Sequence, residues 1–483
     1  MQFIIYHSSF LLLFCMSKLK LHPKKLQGLG YPNTSVISVA MAIFEKHYKF
    51  TPESEALDLL TNILNHPHDF WTNPILSKIS EKLVERPKPV VEKFDLRPNS
   101  LNFNIFGSEN IDQSAIRQLQ MAMRLPVSVA GALMPDAHTG YGLPIGGVLA
   151  TENAVIPYAV GVDIGCRMSL SVFPIAADEF KKRHKMLENS IMHHTKFGTG
   201  EGWKSPEDHE VLESETFNEL PILKNMQFKA ARQLGTSGSG NHFVEFGIAT
   251  FEKEQAAALN LEAGAYIALL SHSGSRGIGA TIANHYTQVA MKKRALAGEA
   301  KSLAWLTMDE QEGIEYWLGM RLAGAYSAAC HQTIHQKIAK AIDNQPILRI
   351  ENHHNFAWKE IIEGRECIVH RKGATPANAG ELGIIPSSMT GQGYIVMGKG
   401  EAMSLNSAAH GAGRKMSRAQ ARESVSHNAL KDLLKKHDVT LLGGGLDEAP
   451  LAYKDIGEVM HAQRQLVDIM GVFQPKIVRM DDK

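Results

Sequence analysis

The sequence is poor in cysteine, and this scarcity excludes two kinds of site. Only four of its 483 residues are cysteines, and no two of them form a Cys-x-x-Cys pair. A disulfide framework and a zinc ribbon are both excluded, because each needs closely or regularly spaced cysteines. Sparse, unpaired cysteines are typical of proteins that fold in a reducing cytosol, so we expect a cytoplasmic protein.

The sequence also lacks an excess of charge of either sign. Its 51 lysines and arginines nearly cancel its 50 aspartates and glutamates, which leaves a formal net charge of +1. A chain with this balance has no overall field that attracts a polyanion. Any nucleic-acid site must therefore be a local basic patch.

Long apolar runs are missing as well. The apolar beginning of the chain, MQFIIYHSSFLLLFCM, is too short to span a bilayer. It also has no lysine or arginine ahead of it, as a secretory signal would have. We therefore interpret residues 1–17 as an extension at the start, with Met16 as an alternative first residue, and we expect no membrane association.

Apolar periodicity predicts a small helical unit over residues 18–86. One helix is predicted to begin with Thr51 as its cap and Pro52 at its first position, and a second is predicted over residues 75–85. Three prolines then make a helix implausible, so residues 87–100 are predicted to form a linker.

Beyond the linker, short apolar runs alternate with glycine clusters, and occasional helices are predicted, such as one from Ser327 to Ile342. This sequence pattern differs from that of regularly alternating strand–helix units. Residues 101–483 are therefore predicted to form one large α+β domain with mixed sheets and glycine-rich loops.

An acid and a thiol lie three residues apart in the segment PYAVGVDIGCRM. Its apolar first half is predicted to be a buried strand, followed by a tight turn that brings Asp163 and Cys166 to one place. A carboxylate beside a thiolate is costly unless a cation holds both. The pair therefore indicates a metal site.

Histidines in similar settings extend this candidate site. His242 lies in GTSGSGNHFVEFG, His272 in LLSHSGSRGIG, and His353 and His354 in RIENHHNFAW, each near the end of an apolar run or a glycine turn. Thiolate and imidazole favour zinc, whereas carboxylate and water favour Mn²⁺ or Mg²⁺. With one of the adjacent His353 and His354 counted, the candidates number five, which exceeds the needs of one tetrahedral zinc. Two ions that share the thiolate would use all five and would suit phosphoryl chemistry.

The segment HGAGR combines a nucleophile with groups that bind phosphate. His410 is followed by Gly411, Ala412, Gly413 and Arg414, which offer backbone N–H groups and a guanidinium. A neutral imidazole can attack phosphorus when a hydrogen bond holds its other nitrogen. By contrast, GYIVMGKG ends in glycine where a P-loop needs a hydroxyl, and its interior predicts a strand.

These motifs together resemble the RtcB-type RNA-splicing ligases, which join RNA ends with GTP and Mn²⁺. The similarity runs from about Phe106 to Val478. It is carried by MPDAHTGYGLPIGGV, VGVDIGCRM, GTSGSGNHFVE, SHSGSRGIG, HHNFAW, HRKGATPANAGELGIIPSSM, HGAGRKMSR and AYKDIGEVM.

The resemblance implies a role for each matching residue. His410 is implied to become covalently guanylylated, and Tyr453 to stack on guanine. His354 is preferred to His353 because it directly precedes Asn355. The ligands implied for two Mn²⁺, with the thiolate bridging, are Asp163, Cys166, His242, His272 and His354. The implied GTP contacts are Asn241, His242, Phe243, Val244, Glu245, His354, Asn355, Pro386, Ser387, Ser388, Met389, Gly393, His410, Gly411, Ala412, Gly413 and Tyr453.

The resemblance also implies a reaction. GMP on His410 would pass to an RNA 3′-phosphate, which is itself formed from a 2′,3′-cyclic phosphate. The 5′-hydroxyl of a second RNA end would then displace the GMP. Some family members need an archease activator. Two alternatives stay open: a metal-dependent 2′,3′-cyclic phosphodiesterase in which His410 only binds phosphate, and a non-catalytic RNA-end-binding factor.

Overall fold

The structure, a computed structural model, describes residues 18–32, 34–84 and 92–482. The predicted start extension, residues 1–17, lies outside the described residues, as does the beginning of the predicted linker up to residue 91. Internal contacts divide the chain into two units, Met1–Val90 and Val91–Lys483.

The described part of the first unit contains four α-helices packed around a small apolar core. That core includes Leu26, Phe44, Leu60 and Ile79, all fully buried. The helices are α1 Pro23–Gly28, α2 Thr34–His47, α3 Glu53–Asn65 and α4 Ser77–Leu83.

Two helix starts in this unit differ from the sequence prediction. Helix α3 begins one residue late, with Pro52 rather than Thr51 in the capping position. Helix α4 begins at Ser77 because Oδ1 of Asn73 accepts hydrogen bonds from the amides of the two residues before the helix, which holds them in a turn.

The second unit mixes helices and sheets, which confirms the predicted α+β class. Its helices are α5 Gln113–Ala122, α6 Pro157–Val160, α7 Phe180–His194, α8 Thr216–Glu219, α9 Gln227–Gln233, α10 Lys253–Ala258, α11 Arg276–Lys293, α12 Gln311–Ala341, α13 Arg418–Ser424, α14 His427–Lys436 and α15 Ile456–Ala462. Helix α12 is twice as long as predicted, because its apolar stripe begins well before residue 327. Among the described helices, none combines the length and apolar character needed to cross a membrane.

The strands of this unit form a large and a smaller sheet with three two-stranded pairs. They are β1 Glu92–Lys93, β2 Asn104–Ile105, β3 Ser128–His138, β4 Ile145–Thr151, β5 Ala154–Val155, β6 Arg167–Ala176, β7 Phe243–Phe251, β8 Gly264–Ser273, β9 Arg294–Ala295, β10 Leu306–Thr307, β11 Leu348–His353, β12 Asn355–Ile362, β13 Arg365–Lys372, β14 Ala374–Pro376, β15 Leu382–Ile385, β16 Gly393–Gly398, β17 Ser407–Ala409, β18 Thr440–Leu442 and β19 Val467–Arg479.

Most strand pairs in the two main sheets are antiparallel. The larger sheet has the order β11-β6-β8-β7-β19-β16-β15, with β18 parallel to β19. The smaller sheet has the order β12-β13-β4-β3-β2, which leaves β12 at an edge. The GYIVMG segment forms β16, as the sequence predicted.

The segment before the acid–thiol pair corrects one prediction. PYAV forms the short helix α6 rather than a buried strand, because Pro157 has no N–H for a sheet but suits the first position of a helix. Gly161, at φ +100°, ends the helix, and Gly165, at φ +69°, makes the turn that leads directly into β6. The two side chains therefore lie in a turn that precedes a strand.

Candidate active site

Strand register brings four of the predicted ligands to one end of the larger sheet. Met168 of β6 pairs with His272 of β8, and His272 in turn pairs with Phe243 at the start of β7. On the other side of β6, Arg167 pairs with His353 at the end of β11. Cys166, His242 and His354 each lie one residue from these paired positions, so their side chains meet at the same edge.

The donor atoms of this group lie within hydrogen-bond distances of one another. We call Asp163, Cys166, His242, His272 and His354 the donor cluster. Sγ of Cys166 is 3.4 Å from Nε2 of His242 and 3.1 Å from Nε2 of His272. Nε2 of His272 is 3.2 Å from Nε2 of His354, and Nε2 of His242 donates to Oδ2 of Asp163 at 2.9 Å.

The protonation pattern of the donor cluster fits a bound cation. Nδ1 of His272 donates to the carbonyl of Asn241 at 2.9 Å, which leaves a lone pair on Nε2 that points at the thiol and the next imidazole. Among the described residues, Nδ1 of His242 and Nδ1 of His354 have no hydrogen-bond partner although both are buried. Three ligand atoms, from Cys166, His242 and His272, lie within 4.8 Å of one another, so the cluster has the composition and spacing of a metal site.

Burial keeps the imidazoles of His272 and His354 neutral. Burial and the neighbouring His242 lower the pKa of His272 to about 3, and burial with His410 lowers the pKa of His354 well below its usual value. Burial and the adjacent Asp163 raise the pKa of the Cys166 thiol well above its usual value. Burial raises the pKa of Asp163, but the hydrogen bond and charge of His242, the hydrogen bond from Cys166 and the charge of His272 together outweigh it and bring that pKa to about 2.

A second arrangement lies beside the cluster, where His410 follows strand β17. Nδ1 of His410 donates to Oδ2 of Asp136 at 2.6 Å, and the backbone N–H of His410 donates to the same oxygen at 3.1 Å. The Asp136 side chain is fully buried. Because Nδ1 carries the proton, Nε2 of His410 presents a lone pair, as a nucleophile requires.

The two arrangements meet at one cavity, which is lined by His272 and His354 of the cluster and by His410. The rings of His354 and His410 are 4.8 Å apart between centroids. The cavity has a volume of about 800 Å³, enough for a nucleotide. Fifteen of the residues singled out in the sequence line it: Asn241, Phe243, Glu245, His272, His354, Pro386, Ser387, Ser388, Met389, His410, Gly411, Ala412, Gly413, Arg414 and Tyr453.

Comparison with known protein families matches the sequence to the tRNA-splicing ligase RtcB over residues 118–219 and 195–481. The chain belongs to the RtcB family. It is 32% identical over 420 residues to an RNA-splicing ligase RtcB1 of Escherichia coli, covering 77% of this chain and 97% of that protein. It is 30% identical over 477 residues to a tRNA-splicing ligase RtcB of Nanoarchaeum equitans, covering 83% and 98% respectively. The resemblance inferred from the motifs is thus confirmed.

Some predicted contact residues of this RtcB-family chain lie behind the cavity wall. The side chain of Val244 is fully buried in the core, and Gly393 is buried within β16. The amide of Asn355 links two turns, donating to the carbonyl of Asp163 and accepting from the N–H of Gly373.

Of the two adjacent histidines, His354 lies beside His272, with the two Nε2 atoms 3.2 Å apart. The ring of His353 instead packs against two aromatic side chains, with centroids 5.0 Å from Phe356 and 4.9 Å from Trp358. The adjacent histidines therefore lie in different surroundings.

Two acids at this RtcB-family site were not singled out from the sequence. Asp136 lies in the motif MPDAHTGYGLPIGGV. Its position among apolar residues could have indicated a buried carboxylate with a partner. Glu448 is 3% exposed and pairs with Arg414 at 3.1 Å and with Arg418 at 3.2 Å. It also accepts a hydrogen bond from the hydroxyl of Tyr453. One buried carboxylate therefore holds two guanidinium groups at the cavity wall.

Proposed function

We propose that this protein is a GTP- and Mn²⁺-dependent RNA ligase. It would join RNA ends that carry a 2′,3′-cyclic phosphate or a 3′-phosphate to ends that carry a 5′-hydroxyl. The observation that carries the proposal is the lone pair on Nε2 of His410, freed by Asp136 and lying beside the donor cluster in a cavity of nucleotide size. Relatives named RNA-splicing and tRNA-splicing ligases support the substrate class.

The donor cluster is where two Mn²⁺ would be held, by Asp163, Cys166, His242, His272 and His354. The bound ions would neutralise the charge on phosphate oxygens as a nucleophile approaches phosphorus. His272 itself provides a lone pair already turned inward, held in place by the carbonyl of Asn241 and by the sheet register.

His410 is the proposed nucleophile. Its Nε2 would form a bond to the α-phosphorus of GTP while the bond to pyrophosphate breaks. Asp136 would hold the proton on Nδ1 and stabilise the charge that the ring gains. The backbone N–H groups of Gly411–Gly413 would lie beside the phosphates, and Gly413 at φ +73° permits this turn.

Other residues of the cavity wall are suited to a guanine base. Glu245 is 4% exposed and burial raises its pKa well above the usual range, so N–H donors of a ligand would compensate its charged form. Tyr453 would stack on the base, and the turn of residues 386–389 would close the same wall.

Transfer and joining would follow at the same site. An oxygen of the RNA 3′-phosphate would attack the phosphorus on His410, which releases the imidazole and gives an RNA-3′-pp-G end. A 5′-hydroxyl would then form the 3′,5′ linkage as GMP leaves. Whether an archease-like activator takes part stays a prediction.

Labelled GTP tests the proposal directly. The protein incubated with GTP labelled at the α-phosphorus and Mn²⁺ should retain label on His410 and should join a 3′-phosphate RNA to a 5′-hydroxyl RNA. His410→Ala should do neither, whereas His437→Ala, which changes an exposed histidine outside the cavity, should do both. Absence of label with metal bound would contradict the proposal.

The same assay separates the two alternatives. A 2′,3′-cyclic phosphodiesterase would open the cyclic phosphate without GTP and would yield no joined product. A non-catalytic end-binding factor would keep RNA binding in His410→Ala and would show no turnover. The non-catalytic alternative leaves the hydrogen-bonded pair of His410 and Asp136 without a role.

A further inference from the structure

A row of serine and histidine side chains lies buried between helix α12 and the larger sheet. Ser171 belongs to β6, Ser271 and Ser273 to β8, and His331 and His335 to α12. Each of the five is at most 2% exposed, and none of them lines the cavity. We call these four side chains, Ser171, His335, Ser271 and His331, together with the carbonyl of Ser273, the serine–histidine chain.

Successive members of the serine–histidine chain lie within hydrogen-bond distance. Oγ of Ser171 is 2.7 Å from Nδ1 of His335, and Nε2 of that ring is 2.8 Å from Oγ of Ser271. The same Oγ is 2.6 Å from Nδ1 of His331, whose Nε2 is 3.2 Å from the carbonyl oxygen of Ser273. The chain therefore runs without a break from β6 through α12 to two alternate residues of β8.

One carbonyl fixes the direction of every hydrogen bond in this chain. A carbonyl oxygen only accepts, so Nε2 of His331 carries a proton and donates it to Ser273. Burial lowers the pKa of His331 well below its usual value and that of His335 to about 3, so both rings are neutral. Nδ1 of His331 then accepts from the hydroxyl of Ser271, whose oxygen accepts from Nε2 of His335. Nδ1 of His335 in turn accepts from the hydroxyl of Ser171.

The end of the chain holds β8 on both sides of His272. Side chains alternate along a strand, so Ser271 faces α12 whereas His272 faces the opposite side, toward the donor cluster. Outside the cluster, the described residues give the ring of His272 one hydrogen bond, to the carbonyl of Asn241. The direction of this ring therefore depends on the position of the β8 backbone, which His331 holds at Ser271 and at Ser273.

The same face of β8 is apolar farther from the donor cluster. Ile267 and Leu269 belong to one apolar core with Ile338 of α12. The next two alternate positions, Ser271 and Ser273, are hydrogen-bonded to histidines instead. Apolar contacts tolerate small shifts, whereas a satisfied buried network of hydrogen bonds specifies one geometry. The directional contacts therefore lie at the part of the strand that carries the metal-ligand candidate.

We propose that His331 is a positioning residue of the donor cluster, which fixes the direction of Nε2 of His272 through Ser271 and Ser273. The inference rests on the proposed function for the metal that the cluster holds. A ring held in one direction offers its lone pair without first losing conformational freedom, so the serine–histidine chain increases metal affinity. Outer partners of metal ligands commonly change that affinity by about 10- to 100-fold when they are removed.

Calorimetric titration of the full chain with Mn²⁺ tests the inference. His331→Leu removes both hydrogen bonds to β8 and should lower the Mn²⁺ affinity about tenfold or more. His331→Gln keeps an amide that can donate to the carbonyl of Ser273 and should recover part of the loss. Titration with Co²⁺ gives a second readout, because the visible spectrum of this ion depends on its coordination geometry. The spectrum of His331→Leu should differ from that of wild type.

The matched control is Ile338→Ala. Ile338 is fully buried on the same helix, seven residues farther along, and packs in the apolar core. Its truncation should lower the melting temperature and leave both the Mn²⁺ affinity and the Co²⁺ spectrum unchanged. If His331→Leu does not fold, Ser271→Ala takes its place. This variant loses the hydroxyl that joins the two histidines, adds no bulk, and should also lower the Mn²⁺ affinity about tenfold.

The outcomes separate this inference from the proposed function. Wild-type Mn²⁺ affinity in His331→Leu or, where that variant does not fold, in Ser271→Ala would overturn the positioning role. An equal loss in Ile338→Ala would overturn it too, because the loss would then follow from destabilised packing of α12. Labelling of His410 from GTP is measured in parallel. If wild type binds Mn²⁺ but is not labelled, the ligase function fails and the titrations still decide the role of His331. A wild type without Mn²⁺ affinity would overturn both.

Discussion

The donor cluster and the pair formed by His410 and Asp136 lie beside one another in the same cavity, yet their polar atoms are satisfied in different ways. In the cluster, Nε2 of His272 and Nε2 of His354 face each other at 3.2 Å. In the pair, a single carboxylate oxygen accepts hydrogen bonds from both the ring and the backbone of His410.

This contrast separates two tasks. The thiol and the inward-facing imidazole nitrogens of the cluster contact one another at 3.1–3.4 Å. A cation could replace these contacts, so the cluster is arranged to bind positive charge. A ring held by two hydrogen bonds has one orientation and one tautomer, so the pair is arranged to direct a nucleophile. A substitution in the cluster should therefore weaken metal binding without affecting the orientation of His410, and a substitution in the pair should do the reverse.

The largest effect is expected from Asp136→Asn. An asparagine amide would stabilise the tautomer with the proton on Nε2 of His410, which removes the attacking lone pair. The rate of His410 labelling from GTP should fall by about 10³-fold or more. The rise in melting temperature that Mn²⁺ produces should not change.

Asp112→Asn is the matched control, because Asp112 also lines the cavity but is exposed and does not contact His410. It should be labelled at the wild-type rate. Labelling of Asp136→Asn within tenfold of wild type would show that the carboxylate does not set the tautomer.

The converse substitution is Cys166→Ser, which should weaken metal binding by the cluster and leave the hydrogen bonds between His410 and Asp136 intact. A serine hydroxyl stays protonated where a thiol would ionise on binding metal, so Mn²⁺ affinity should fall about 100-fold, measured by calorimetry. Cys367→Ser replaces another buried cysteine, in β13 and away from the cluster, and should bind Mn²⁺ normally. Equal affinities in the two variants would argue against a thiolate ligand.

The same contrast predicts how metal affinity depends on pH. The raised pKa of the Cys166 thiol means that metal binding must displace a proton, whereas the lowered pKa values of His272 and His354 mean that these rings are already neutral. Between pH 7 and 8.5 the Mn²⁺ affinity should therefore increase about tenfold per pH unit.

The slope is measured by calorimetric titration at several pH values in that range. Cys166→Ser should lose most of this dependence of Mn²⁺ affinity on pH. His410→Ala should keep it, because His410 lies outside the cluster. A wild-type slope near zero would mean that no thiol proton is released.

Sequence patterns alone located the cluster because its members lie in motifs with unusual chemistry. Glycine turns next to apolar runs identified Asp163, His242 and His272 as candidates. The local secondary structure was less predictable: an apolar run after Pro157 satisfies strand and helix patterns equally, and only the missing N–H of proline decides between them.

The pairings between distant segments could not be read from the chain. Asp136 meets His410 only because strand β3 passes beside β17, 274 positions away in sequence. Glu448 likewise reaches Arg414 and Arg418 through a loop fold that no periodicity encodes. A buried acid in an apolar segment indicates that a partner exists, but its identity depends on tertiary structure.

The smallest effect is expected at Tyr453, the residue of the cavity wall that is proposed to stack on guanine. Its hydroxyl donates to Glu448, and the guanidinium of Arg414 lies 5.2 Å from its ring centroid. Tyr453→Phe keeps the ring and loses one buried hydrogen bond, so the free energy of unfolding should fall by about 1 kcal/mol with no change in the KM for GTP. Tyr453→Ala removes the ring, and the KM for GTP in the labelling reaction should rise about tenfold if the ring stacks on guanine.

These two variants distinguish the ring from the hydroxyl, because each alters one and the phenylalanine serves as the control for the alanine. If both raise the KM equally, the network around Glu448 binds the nucleotide rather than the aromatic face. If neither does, the base lies against another part of the wall, where Phe243 offers an aromatic alternative in the same cavity. In either case Mn²⁺ affinity should be unchanged, because Tyr453 contributes no atom to the donor cluster.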